Sequence, residues 1–470
     1  MITIGQKAIL RVSFSGFIFL SILNALGLGD GRINLFGNSK PSNLRDFQEI
    51  FTALGGPIKL GDGGWHLRVA SELVSQNFVN TESLWWLTSA PPGVAVVEAL
   101  VIKLVGFESF GIFYCLLIAF LWTTAFSLFF GSVRTMKRLV LNILAFLTLF
   151  NFTGFSQWMI GPGIFFTEAL STPFLIISIT LLIKSRNSSN PSLASLYLGL
   201  SAVSLASASF VRANFLYISY AFALLGILLY IRKFGIQHLK VKSKKFSKEV
   251  DSGSNFLMYG FGSLVALFPY YVMAYNYLKM PPAALNSSGF HLQYAWINPS
   301  DDPFRSIGAG WLCEINTKHC QNGFEAVTQP GKLLRQHFET FLQFPIDVLT
   351  SRTDVFIRAW FSGEGPGATG SYDAIFQGIL LLVFLLCLIF MSFYAKDLNN
   401  RSESRYFIIF ATALLVPYAI THLEVRYMIP IKLLILLFVT RFSIQFLDDF
   451  LVQKKLHILF SRVDDSKKID

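Results

Sequence analysis

Long apolar runs recur along the chain, separated by short charged segments. The first, ILRVSFSGFIFLSILNALGLG at roughly 9–29, lacks a small-residue cleavage site and is longer than a signal-peptide core, so it predicts a membrane helix. Similar runs lie near 109–131, 139–154, 167–183, 192–209, 214–231, 255–278, 376–394, 407–421 and 427–443. Together they predict about ten spans, within a range of about nine to twelve, each near the length that crosses a hydrocarbon layer. Two long polar insertions, roughly 30–108 and 279–375, interrupt the series. No internal repeat of fixed period appears. The expected fold is an all-α polytopic membrane protein: one membrane domain over 1–450 with two large outer loops, then a short cytoplasmic tail over 451–470.

Composition strengthens this picture. Hydrophobic residues make up 53% and charged residues only 14% of the 470. A soluble protein carries about 25% charged residues, so a soluble globular enzyme is excluded. Disordered chains are polar and poor in aromatics, and 48 Phe exclude that class too.

The net charge of +11 reads as an orientation signal rather than a nucleic-acid surface. With a cytoplasmic N-terminus, about 23 of the 39 Lys and Arg fall in the short inner segments, and about 13 in the much longer outer loops. Both termini are then cytoplasmic. The run Lys240-Val241-Lys242-Ser243-Lys244-Lys245 becomes a solvated inner connector near anionic lipid. Cys313 and Cys320, in WLCEINTKHCQNG, fall in an outer loop where a disulfide is permitted, whereas Cys115 and Cys387 lie inside apolar spans.

Charge is expensive at a bilayer, so charged residues at its outer edge are informative. Asp62 sits in a Gly-rich turn, Gly61-Asp62-Gly63-Gly64, ahead of WHLRVASELV. That stretch patterns as a short amphipathic helix with Trp65, Val69 and Leu73 on one face, suited to lie on the membrane surface. Asp62 reads as its N-cap or as a general base meeting a lipid-linked substrate. Glu168 opens an uncharged span, as a carboxylate paired to an arginine elsewhere or as the wall of a polar cavity. Arg212, in ASASFVRANFLYI, reads as a phosphate ligand or as a residue snorkelling to headgroups. His422-Leu423-Glu424-Val425-Arg426-Tyr427 places an acid, a base and an aromatic at the mouth of the last spans. There Arg426 suits a lipid phosphate and Glu424 can orient it. His66 is a weaker candidate, as is His422.

On these landmarks the chain resembles the GT-C superfamily of integral-membrane glycosyltransferases, nearest the branch of protein O-mannosyltransferases and lipid A aminoarabinose transferases. Asp62 and its helix look like the first-loop acidic motif. Ala90-Pro91-Pro92-Gly93 through Lys103-Leu104-Val105-Gly106 is similar to the family's "PPG … lfG" stretch. Thr167-Glu168-Ala169-Leu170, Val211-Arg212-Ala213, Phe268-Pro269 through Asn276-Tyr277, and Glu424-Val425-Arg426-Tyr427 through Pro430 resemble later elements in the same order. The resemblance implies inverting transfer from a polyprenyl-phosphate-linked sugar to a glycan, lipid or protein acceptor at the extracytoplasmic face. Asp62 would act as base, Arg212 and Arg426 would neutralise the leaving phosphate, and Glu168, Glu424, Tyr427 and His66 would shape the site.

No cofactor or obligatory metal is expected; Asp301-Asp302 reads as a solvated turn before Pro303. Trp296, Trp311, Trp360 and Tyr294 read as loop core, or as a surface that stacks on sugar. The alternatives are a surface-polysaccharide polymerase or ligase, and a secondary transporter, which would carry repeats and midplane charges. The absence of a retrieval signal and of a large soluble domain favours a bacterial inner membrane.

Overall fold

The computed structural model describes residues 4–26, 41–43, 45–47, 49, 62–75, 91–131, 136–152, 167–237, 244–278, 292–298, 309–321, 329–361, 371–394, 406–416 and 427–443. Among these the chain is almost entirely helical, with no strand and one isolated bridge between Ile297 and Gln321. The helices are α1 (Ile4–Ala25), α2 (Asp62–Ser75), α3 (Gly93–Phe130), α4 (Met136–Phe152), α5 (Thr167–Asn187), α6 (Pro191–Val211), α7 (Leu216–Gln237), α8 (Lys244–Ala266), α9 (Phe268–Leu278), α10 (Trp311–Ile315), α11 (Pro330–Gln343), α12 (Pro345–Phe361) and α13 (Ser371–Tyr394). Two more follow, α14 (Tyr406–Val416) and α15 (428–443). Five segments are long and apolar enough to cross a membrane: most of α1, all of α3, α5 and α6, and Ala213–Arg232. Shorter apolar helices lie at Arg138–Phe150, Gln377–Cys387 and Tyr406–Val416. This is the fold class of an α-helical integral membrane protein.

Two boundaries differ from the sequence reading. Helix α3 begins at Gly93 rather than near 109. Glu98, Lys103 and Glu108 interrupt the apolar run there, but the backbone stays helical through them, with one kink at Gly106 (φ 78°). A positive φ suits a residue without a Cβ. The span read over 255–278 is in fact two helices, α8 and α9, which part at Leu267. Pro269 lies just inside the second, where a missing N–H is tolerated.

Helix α5 is the centre of the bundle, enclosed for most of its length. Pro173 stands inside it and has no N–H to donate to the carbonyl four residues back, that of Ala169. The Trp122 indole of α3 donates to that carbonyl instead, at 2.9 Å. Helix α6 packs along α5 through serines. Ser178 donates to the Ser201 carbonyl and Ser201 to the Ser178 carbonyl, both at 2.7 Å, with the Tyr259 hydroxyl of α8 at 2.6 Å from Ser178. Small residues and hydroxyls of this kind join helices where lipid gives no hydrophobic drive.

The bundle has two distinct ends. The tip of α3 meets the middle of α1, with Ser127 and Ser15 hydroxyls at 2.9 Å and the Phe130 and Phe14 rings 5.6 Å apart, so the first half of α1 extends past this tip. The N-terminus therefore shares an end with Phe130 and with the last turn of α5. The opposite end holds the starts of α3 and α5.

A second, smaller core lies in 292–348 and contains Leu292, Ala295, Trp296, Trp311, Leu312 and Leu333. Cys313 and Cys320 are disulfide-bonded in it. Trp296, Trp311 and Tyr294 are buried, as packing of the loop demands, and Trp360 is buried in the main core. Arg352 covers the Trp311 ring at 4.4 Å, and Trp296 Nε1 donates to His337 Nδ1 at 3.1 Å.

Burial pushes His337 down to about 4; the Arg352 charge adds to this, and a contact with the Leu333 carbonyl opposes it. The folded ring thus refuses a proton that an unfolded ring accepts below about pH 6.5. Stability should be level above that pH and fall between pH 6.5 and 4, by up to about 3 kcal/mol. Hydrogen exchange in 311–315 and 330–343, corrected for intrinsic rates, should show this loss of protection, and His337→Gln should flatten it. Protection in the wild type that is equal at pH 7 and 4.5 would contradict the assignment.

Candidate functional site

The first turn of α5 presents Thr167 and Glu168, and an acid is favoured at a helix start. Helix α6 stops at Val211, and Arg212 takes an extended conformation (φ −144°, ψ 110°). Its N–H still bonds the Ala208 carbonyl at 2.9 Å, and one 3-10 turn, Ala213–Phe215, leads into α7. This break turns the Arg212 side chain off the helix axis. Arg212 Nη1 forms an ion pair with Glu168 Oε1 and donates to Thr167 Oγ1 at 3.0 Å. The Thr167 hydroxyl donates to Glu168 Oε2 at 3.1 Å. The Tyr427 ring, just ahead of α15, lies 4.6 Å from the guanidinium carbon. Glu168 and Arg212 are only 2% and 6% exposed, so the arginine does not reach out to headgroups.

Gly93 completes this corner. A Cβ there would stand 2.5 Å from the Phe210 carbonyl oxygen and 2.7 Å from Val211 Cα. Only glycine lets the start of α3 come so close to the end of α6. The structure thus joins three of the residues singled out in the sequence, Glu168, Arg212 and Tyr427. Of the two readings of Glu168, it realises the pairing with an arginine. The pair is neutral overall. It holds the guanidinium fixed against an aromatic face.

Asp62 is the first residue of α2, which packs on α3 through Leu67, Ala70 and Val94. The described part of this helix differs from the expected surface helix. Val69, His66 and Glu72 are all buried, while Trp65 and Leu73 are only half-buried. Arg68 bonds Glu72 at 3.3 Å and covers the Trp65 ring at 5.2 Å. The helix is therefore enclosed by protein on more than one side, and Arg68 and Glu72 pair along it. The Asp62 side chain, and His422, Glu424, Arg426, Asp301-Asp302 and the tail 451–470, lie outside the described residues.

Two buried charges within the apolar runs escaped the sequence reading. Glu98 of α3 is fully buried, with no hydrogen-bond partner among the described residues. Lys432 of α15 donates to the Trp360 carbonyl at 2.8 Å and sits 5.2 Å from that ring. It thereby takes up an acceptor near the end of α12, where a cation is favoured. The signal for both was a single charge inside an apolar run, VVEALV and MIPIKLL.

An apolar groove of about 380 Å³ runs beside the corner, lined by Val96 of α3, Val203, Ala206 and Phe210 of α6, and Leu267 and Tyr270. Phe210 lies two residues before Arg212, so the groove and the ion pair share one end of α6. No family model and no curated protein matches this chain. The functional reading therefore rests on the residues themselves.

Proposed function

We propose that the protein is an inverting glycosyltransferase that takes a sugar from a polyprenyl-phosphate donor at the extracytoplasmic face of a bacterial inner membrane. The observation that carries this reading is the Glu168–Arg212–Tyr427 cluster, buried at one end of the bundle and flanked by an apolar groove. A lipid-linked anion needs a slot for its chain and a polar corner for its headgroup, side by side. In this proposal Asp62 deprotonates the acceptor hydroxyl as it attacks the anomeric carbon. The new C–O bond forms as the bond to the phosphate oxygen breaks, and the polyprenyl phosphate leaves with the electron pair. Arg426, one residue before Tyr427, stabilises that phosphate. Arg212 is held by Glu168, so it shapes the wall of the pocket rather than carrying the leaving group. Ten spans, cytoplasmic termini and metal-independent turnover belong to the same proposal.

Purified full-length protein in detergent should release label from a polyprenyl-phosphate [¹⁴C]sugar onto an acceptor fraction, with EDTA making no difference. In proteoliposomes the label should leave the lipid rather than cross the bilayer intact. Movement of intact donor without loss of label would assign a transporter instead.

A further inference from the structure

Helix α11 has three faces rather than two. At about 100° per residue its positions divide into three sectors. Leu333, His337 and Thr340 form the first and are buried on the smaller core, where Trp296 donates to His337 and Asn316 Nδ2 donates to Thr340 Oγ1 at 3.0 Å. Lys332, Arg335 and Glu339 belong to the second, with Arg335 bonded to Glu339 at 2.7 Å. Leu334, Phe338, Phe341 and Leu342 make the third, and all four are exposed, Phe338 and Leu342 by 62% and 63%. Single apolar residues on a surface are ordinary. A contiguous apolar face rimmed by polar groups marks a place of contact.

The way the smaller core is tethered points to lipid as the contact. Helix α12 gives Val348 to the smaller core and Val355, Ala359 and Trp360 to the main one. Its far end is fixed in the bundle. The Trp360 indole donates to the Gln377 carbonyl of α13 at 3.3 Å, and the Trp360 carbonyl receives Lys432, which follows Tyr427 in the chain at the start of α15. The smaller core is therefore joined to the bundle at the end that holds Tyr427 and Arg212. At 1.5 Å per residue α12 is about 25 Å long, little more than one leaflet with its headgroups.

The apolar surface is also continuous. It does not stop at Phe344, where α11 ends. Ile346, Leu349 and Ile357 carry it along one side of α12 toward α13, on which Ile375, Ile379 and Leu382 are exposed in turn. The α11 face itself consists of Phe and Leu alone and offers no side-chain hydrogen-bonding group. That composition suits a helix lying in a bilayer surface better than a protein interface, where Tyr, Trp and Arg collect.

We propose that the Leu334, Phe338 and Leu342 face of α11 lies in the headgroup–acyl boundary of the leaflet at the Arg212 end of the bundle and seats the smaller core on lipid. The proposal does not depend on glycosyl transfer.

Spin labels on the full chain test it, with the protein in dioleoylphosphatidylcholine nanodiscs at a single copy per disc. Nitroxides are attached to Phe338→Cys, Leu342→Cys and, on the polar sector, Arg335→Cys. Cys115 and Cys387 are buried and Cys313 and Cys320 are bonded to each other, so the wild type treated with the same label gives the background. Power saturation against oxygen and a water-soluble nickel chelate reads depth. Labels at 338 and 342 should both lie about 5–10 Å into the boundary, and the label at 335 should lie in water. If either apolar variant fails to fold, Leu334→Cys is read by the same criterion. Nickel accessibility at 338 or 342 equal to that at 335 overturns the proposal. Protection that appears only in liposomes crowded with the protein also overturns it, and assigns the face to a second copy of the chain.

Discussion

Replacing Asp62 by Asn is expected to stop sugar transfer while leaving the fold intact. Asp62 is the first residue of α2, one position inside the cap. Asn keeps the size and polarity of the side chain there, but its amide does not take a proton. Loss of a general base typically costs about 10²–10⁴ in rate. The turnover number of Asp62→Asn, measured by release of label from the polyprenyl-phosphate sugar, should fall by about that factor with an unchanged unfolding midpoint. Asp62→Ala should lose the same activity. Full activity in Asp62→Asn would remove the base from the proposed mechanism.

The second large effect belongs to the Glu168–Arg212 pair. Arg212→Ala leaves a buried carboxylate with its cation gone, and Glu168→Ala leaves the converse. Removing one partner of a buried pair typically costs about 3–5 kcal/mol, whereas replacing both by apolar residues of similar volume is often neutral. Each single variant should therefore be destabilised by about that amount in detergent-titrated unfolding, and Glu168→Leu with Arg212→Leu should recover most of it. The double variant should be stable and inactive, because the neutral polar corner is gone. A single variant within about 1 kcal/mol of the wild type would show that the pair does not hold this corner together.

The helical class and most of the long helices were legible in the sequence, because apolar runs of span length leave little choice of structure. The charged start of α3 was not. Glu98, Lys103 and Glu108 look like loop residues, yet the fold covers Glu98 and the same helix carries Lys103 and Glu108 exposed on its surface. In α2 the apolar periodicity pointed to Trp65, Val69 and Leu73, but packing on α3 buried Leu67 and Ala70, and took His66 and Glu72 inside with them. Periodicity reports which face is apolar, not how much of the helix its neighbours enclose. Glu168 and Arg212 were both visible as charges at span ends. Their pairing was not, since it depends on α5 and α6 running side by side and on Gly93 admitting α3 to the same corner.

The bond from Trp122 to the Ala169 carbonyl ties two distant positions to a common evolutionary fate. Pro173 creates the vacancy on that carbonyl, and the indole fills it. A descendant that exchanges Pro173 for an ordinary residue restores the backbone donor, and position 122 is released to drift. A descendant that loses the tryptophan first inherits an orphaned acceptor in the first turn of its most enclosed helix. The order of substitution is therefore constrained, with proline leaving before tryptophan.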